Sequence, residues 1–424
     1  MTSDRAFVWI WLPSAEEPVL CGRLDALSPD SRIGFRYARA YLARPDAISV
    51  YAPELPLRLG LIEPAPELSA PGCILDTGPD AWGQRVILDR LTGRHGRDAD
   101  PGDLNVLTYL LAGDSDRSGN LDYTSSAEVY VPRVSGPVSL GDLREAAERI
   151  DAGEEIPPQL QDALLRGSSI GGARPKALLD DGGRKLIAKF SSTTDTLPVV
   201  QAEYVAMTLA ARAGIDAAHV ELATSAGKRV LLVERFDRVP GTKLRRGMVS
   251  ALTILGLGEL IARYASYAEL AQHIRERFVA PQATLRELFS RITFNVLVSN
   301  IDDHARNHAA FWDGELLELT PAYDVCPQLR AGHTAEQAMY IGDERDNFKA
   351  SNVAGCVERA GVYQLSKREA GDIVDHQIDM ITEHWHEVCD RAELTATQRR
   401  ALWGRQFLNP GSLEGWIRGP ARPA

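Results

Sequence analysis

The chain has 424 residues, enough for two or three domains that each bury a core. Hydrophobic residues make up 44% and charged residues 25%, and no apolar run is long enough to span a membrane, so the composition reads as soluble and globular. A net charge of −11 argues against a direct grip on nucleic acid, which needs clustered Lys and Arg, and leaves only contact through a partner.

The opening "AFVWIWL" has no basic leader and no small-residue cleavage site, so it reads as a first β-strand and not a signal peptide. Further β-like runs follow in "RIGFRYARAYL", "ISVYA" and "AEVYVP". Two helical stretches, "DAWGQRVILDRLTG" and "PGDLNVLTYLLAG", interrupt them, each closed by a glycine suited to a helix end. Residues 139–166 read as a mainly helical connection broken by Pro157-Pro158. From about residue 167, "ARPKALLDDGGRKLIAKF" predicts a hairpin turning at Asp180-Asp181-Gly182-Gly183. The amphipathic helix "QAEYVAMTLAARAGI" comes next, then a second hairpin, "VELATSAGKRVLLVERFDR". Beyond residue 250 long helical patterns take over. The five cysteines, Cys21, Cys73, Cys326, Cys356 and Cys389, show no CxxC pair, which predicts reduced thiols in a cytoplasmic protein.

Four features carry chemistry. "SSIGGARPK" (168–176) is a Gly-rich loop whose backbone amides can cradle phosphates, although a plain flexible turn would look the same. Lys189 in "KLIAKF" stands in an apolar strand, either snorkelling at an edge or aimed at an anion, with Glu203 on the following helix as its natural ion-pair partner. "LLVERFDR" is an apolar strand that turns polar abruptly, as a hinge does. The Glu234 carbonyl and Phe236 amide would be free to bond an adenine, and Asp237 would be within reach of a ribose. The densest cluster is "SNIDDHARNHAAFWDG" (299–314). His304 and His308 have the spacing of a shared zinc pair but lack the glutamate of an HExxH site, which leaves a metal-dependent phosphoesterase as the weaker alternative. Asp302 and Asn307 have the Asp-x4-Asn spacing of a phosphotransfer loop, and Asp324 follows a short hairpin as a second metal carboxylate. Each signal is weak alone, and together they stand in the order a kinase requires.

With "SSIGGARPK", "IAKF", "VERFDR", "NIDDHARNH" and "LTPAYDV", and with "GPDAWGQRVI" further upstream, the chain closely resembles the HipA family of serine/threonine kinases, toxins of bacterial toxin–antitoxin pairs. The resemblance implies an α+β, protein-kinase-like, two-lobed fold. Residues 1–135 would form an extra N-terminal β-rich subdomain, 136–248 the kinase N-lobe and 249–424 a helical C-lobe. By similarity Asp302 is the catalytic base, Asn307 and Asp324 hold Mg²⁺, and Lys189 contacts the ATP phosphates. Ser169, Ile170, Gly171, Gly172, Ala173 and Lys176 would line the phosphate loop, and Glu234, Phe236 and Asp237 the adenosine. Ser169 matches the family's autophosphorylated serine, whose modification adds roughly two negative charges to the loop and switches the enzyme off. The implied target is an aminoacyl-tRNA synthetase and the implied partner a small helix-turn-helix antitoxin bound to DNA. A catalytically weak scaffold or corepressor is the non-enzymatic alternative.

Overall fold

The computed structural model describes residues 3–27, 32–93, 100–133, 139–152, 176–191, 195, 197–330, 332–343 and 346–418. The chain divides into two units, one of residues 1–195, 223–258 and 311–316, the other of residues 196–222, 259–310 and 317–424.

The first unit begins with a sheet of order β3-β2-β1-β4, built from β1 (Arg5–Ile10), β2 (Val19–Leu27), β3 (Arg32–Tyr37) and β4 (Leu121–Thr124). Alternation sets its register. Ala6 stands opposite Leu24, Leu24 opposite Phe35, and all three are fully buried. A slip of one residue would turn this row to solvent, where Leu24 and Phe35 would each forfeit about 1.5–3 kcal/mol of burial. The expected strands "ISVYA" and "AEVYVP" do not form. Side chains take the carbonyls of the first, Tyr41 Oη bonding Ile48 O and Trp312 Nε1 bonding Ser49 O. In the second, Tyr130 packs its ring on Trp9 and Trp11 and donates to Asp122, while Val129 and Val131 stay exposed.

The helix Ala81–Thr92 starts where the Asp80 carboxylate accepts from Gly83 N and ends at Gly93 in the left-handed region, as the sequence predicts. The second sheet has the order β5-β6-β8-β7, from β5 (Lys176–Asp181), β6 (Arg184–Phe190), β7 (Val220–Ser225) and β8 (Lys228–Glu234). Gly182 and Gly183 form the two-residue turn with φ of 58° and 89°, values that side chains resist. One face of this sheet is dry: Ala177, Ala188, Phe190 and Val230 pack with Leu143 of the helix Leu140–Ala152.

The second unit is helical. The helix Pro281–Leu297 buries Leu285, Leu288, Phe289, Ile292 and Phe294 and packs against Tyr267–Arg277 and Lys367–Arg391. A Ser366–Glu369 capping box starts the 25-residue helix, and Gln377 on it bonds Thr293 at 2.9 Å. Among the described residues no helix is long and apolar enough to cross a membrane. β-rich first unit and helical second unit together give the α+β class expected.

Candidate catalytic loop and nucleotide-facing strands

The loop at 299–308 is shaped by the end of the helix before it. Ser299 takes a left-handed φ of 56°, and Asn300 N turns back to Asn295 O at 2.8 Å, so the chain leaves the helix sharply. Two short turns follow, His304 N to Asp302 O and Asn307 N to His304 O, each 2.8 Å. They bring Asn307 back beside Asp302, whose backbone carbonyl accepts from Asn307 Nδ2 at 3.3 Å.

The two adjacent aspartates separate completely. Asp302 is exposed, whereas Asp303 is 2% exposed and faces inward. The Asp303 carboxylate accepts from Tyr267 Oη, from Asn295 Nδ2 at 2.7 Å and from His308 Nε2 at 2.9 Å. It thereby ties two helices and the residue after Asn307 to one buried charge, which needs those donors to be tolerable. From sequence alone Asp303 is either a further metal ligand or without a role. Its signal was the second of two adjacent carboxylates flanked by apolar runs, only one of which could face water.

Asp324 lies beyond β9 (Ala309–Trp312) and β10 (Leu317–Leu319), with a left-handed φ of 59° that a non-glycine residue adopts only under constraint. Its backbone carbonyl accepts from Asn300 Nδ2 at 3.4 Å, so it belongs to the same loop system. Surrounding protein raises the Asp302 carboxyl above its usual range even though the side chain reaches water. Beyond that, His304 pulls it down and the negative charges of Asp324 and Asp303 push it up. The structure places Asp302, Asn307 and Asp324 in one loop system of the second unit.

The zinc pairing of His304 and His308 is not formed. His308 spends Nε2 on Asp303, and its ring meets Tyr267 edge-on at 5.5 Å. Among the described residues no three His, Cys, Asp or Glu side chains converge as ligands. His308 is scaffold.

In the first unit, Lys189 on β6 stands opposite Lys176 on β5 and Leu231 on β8. Two lysines facing each other across a ladder repel unless anions meet them. Lys176 has one: its ammonium, 3% exposed, lies 2.5 Å from Asp80, and burial raises the Asp80 carboxyl against that pull. The structure thus gives Lys176 a protein carboxylate where the sequence reading gave it a phosphate. Glu203, buried on the helix Val199–Arg212, belongs to the second unit. Ser169, Ile170, Gly171, Gly172 and Ala173 lie outside the described residues.

After β8 the side chains alternate. Glu234 and Phe236 are half-exposed, while Arg235, Asp237 and Arg238 are buried. Asp237 does not reach outward for a ribose. Its carboxylate pairs with Arg235 at 2.8 Å and Arg238 at 2.7 Å and accepts from Gly119 N at 2.8 Å. Burial opposes its charge, but the two guanidinium groups win and hold it below the usual carboxylate range. "RFDR" looked like a polar hinge because sequence does not show which side chains turn inward.

Residues 168–385, just over half the chain, match the HipA-like C-terminal domain. The serine/threonine-protein kinase toxin HipA of Shewanella oneidensis is 28% identical over 269 residues, covering 57% of this chain and 61% of that protein. The putative kinase Y4mE of Sinorhizobium fredii is 29% identical over 217 residues, covering 48% of this chain and 50% of its own. Each alignment therefore spans less than two thirds of the relative. A solved structure of Shewanella oneidensis HipA, in complex with HipB and operator DNA, shares the fold with a TM-score of 0.68 and 19% identity, over 96% of this chain and 99% of that one. With this family match over the loop, strand-lysine and Asp-x4-Asn segments, the chain belongs to the HipA family.

Proposed function

We propose that the chain is an ATP·Mg²⁺-dependent serine/threonine protein kinase of the HipA toxin type. The observation that carries it is the loop system holding Asp302, Asn307 and Asp324 together, with Asp302 outward on a floor fixed by Asp303. In this reading Asp302 accepts the proton of a substrate serine or threonine hydroxyl as its oxygen attacks the γ-phosphorus of ATP. The bond to the β,γ-bridging oxygen breaks and ADP leaves. A raised carboxyl pKa suits that base role, because it brings the group's affinity for protons closer to working pH.

Asn307 and Asp324 would hold Mg²⁺, which when bound neutralises charge on the phosphates; the mutual repulsion of Asp302 and Asp324 fits a cation between their charges. Lys189, on the same sheet face as Lys176, would contact the phosphates, with the loop 169–173 over them. The Glu234 carbonyl and Phe236 amide would bond the adenine, and we reassign Asp237 from ribose contact to the buried frame of that segment. From the family resemblance, the substrate would be an aminoacyl-tRNA synthetase whose phosphorylation arrests growth. Autophosphorylation would fall on Ser169, and a HipB-like helix-turn-helix protein would neutralise the kinase and link it to DNA.

Incubation with ATP and Mg²⁺ followed by phosphopeptide mass spectrometry tests the reading. Phosphate on Ser169 is expected, lost in Asp302→Ala with ATP binding retained. Loss of a positioned general base costs about 10²–10⁴ in rate. ATP binding without transfer in the wild type would favour a scaffold, and no ATP binding at all would sink the kinase.

A further inference from the structure

The match to the family's C-terminal domain begins at residue 168, which leaves the amino-terminal region without an assigned task. We infer that this region, through Asp116, is a positioning frame for the nucleotide-facing segment Glu234–Arg238, an inference that rests on the kinase reading above.

The contacts run through two buried guanidinium groups. Arg235 Nη1 donates to the Asp116 carboxylate at 2.8 Å and to its backbone carbonyl at 3.2 Å, while Nη2 donates to Arg117 O at 2.7 Å. Arg238 Nη2 reaches the same Asp116 oxygen at 3.0 Å, and its Nη1 reaches Gly119 O at 2.9 Å. In return Gly119 N donates to Asp237 Oδ2. Three residues of one short loop, Asp116, Arg117 and Gly119, therefore latch onto three residues that alternate with or follow the half-exposed Glu234 and Phe236. The segment's backbone is tied separately, Arg235 N to Lys185 O at 2.9 Å and Arg246 N to Asp237 O at 3.0 Å. Phe236 leans on Phe311, whose ring Arg246 covers at 3.3 Å.

Charge explains why Asp116 matters more than its neighbours. Arg235, Arg238 and Arg245 bring three cations into this interior; Asp116 and Asp237 face Arg235 and Arg238, Asp116 and Asp122 face Arg245, and the half-exposed Lys185 lies 4.0 Å from Asp116. Burial would raise Asp116, but Arg235, Arg238, Arg245 and Lys185 outweigh it and hold the carboxyl far below its usual range. Without the Asp116 charge Asp237 alone faces both Arg235 and Arg238, and repulsion separates the two. Residues 235–238 cannot spread while the Glu234 carbonyl and Phe236 amide stay in place, because they are neighbours on one backbone. Asp116 touches no nucleotide; it acts through Arg235 and Arg238.

The test uses the full chain and Mg²⁺ with a non-hydrolysable ATP analogue as probe, measured by calorimetric titration. Asp116→Asn is expected to raise the analogue's Kd about tenfold, the scale of a lost charge-assisted hydrogen bond. KM for ATP should rise with it, while kcat at saturating ATP changes less than about twofold, since uniform binding is what is lost. Leu24→Ala, which opens the core of the neighbouring sheet, should lower Tm while leaving Kd unchanged. If Asp116→Asn does not fold, Arg238→Lys keeps the charge, gives up the forked contacts, and is expected to raise Kd at least about threefold. An unchanged Kd in the folded variant, or an equal rise in Leu24→Ala, overturns the positioning role. A wild type that fails to bind the analogue overturns the kinase reading, and the positioning role with it.

Discussion

Replacing Asp303 by asparagine keeps the side chain's shape and removes its charge, which isolates what that charge does. Three donors converge on one oxygen: Tyr267 Oη, Asn295 Nδ2 at 2.7 Å and His308 Nε2 at 2.9 Å. A hydrogen bond to a charged acceptor contributes about 1.5–3 kcal/mol and one between neutral groups about 0.5–1.5, so each bond loses about 1 kcal/mol. The sum is about 3 kcal/mol, and asparagine's amide adds a donor where Asp303 had none. For a unit of this size about 2–4 °C accompanies each kcal/mol, which predicts a fall in Tm of about 6–12 °C. The kinetic consequence follows from place. His308 is one residue beyond Asn307, and Asp303 one beyond Asp302, so loosening their bond loosens the loop between. Phosphotransfer should fall about tenfold or more at temperatures where the variant is still folded. Differential scanning calorimetry and steady-state kinetics on one preparation check both parts. A Tm within about 2 °C of wild type would refute the energetic reasoning. A large Tm loss with unchanged kcat would confine Asp303 to stability.

The Asp80–Lys176 pair should behave as a buried salt bridge. Asp80→Asn or Lys176→Met alone leaves one charge behind and costs about 3–5 kcal/mol, whereas the double variant costs clearly less than the sum. Denaturant titration of the four proteins decides it, and additive losses would show the two side chains to be independent. Acid should weaken the first unit, because its buried Asp116, Asp122 and Asp237 all have folded-state pKa values below the ordinary carboxylate range. The unfolded chain binds protons to these groups at a pH where the folded chain does not. Their contribution is therefore full above about pH 4 and is lost as pH falls below it. Asp116→Asn should flatten that decline when melting is followed from about pH 6 to about pH 3. An undiminished slope would assign the acid sensitivity to other groups.

Local order in this chain is legible in the sequence wherever neighbouring residues decide it. Gly182-Gly183 announces a turn because few other residues accept φ above 50° twice in succession. Asp80 and Gly93 bracket a helix because one offers its amides an acceptor and the other leaves it left-handed. The step from Asp302 to Asn307 is legible for the same reason: both ends lie on a loop short enough for its own backbone to bring them together. "AEVYVP" misleads because alternation is only half of a strand's requirement. No ladder takes it up, and Tyr130 settles on two tryptophans instead.

Partners distant in sequence are a different matter, and the charged residues show why. Asp237 and Lys176 both have side chains a nucleotide site could use, yet both are spent on protein groups: Asp237 on its neighbours Arg235 and Arg238 and on the distant Gly119, Lys176 on the distant Asp80. The sequence cannot show which charges face a ligand and which face another charge, since both kinds sit beside apolar strands. Burial separates them. Glu234 and Phe236 stay half-exposed between Arg235 and Asp237, and Asp302 stays exposed beside Asp303. In each unit the outward residue is held by an inward neighbour that no motif describes. The inward residue's cost of burial is met by several partners at once, so it cannot be moved without moving the outward one. Short motifs around Asp302 and Glu234 therefore locate where chemistry is presented, while Asp303 and Asp116 decide whether it is presented in one geometry.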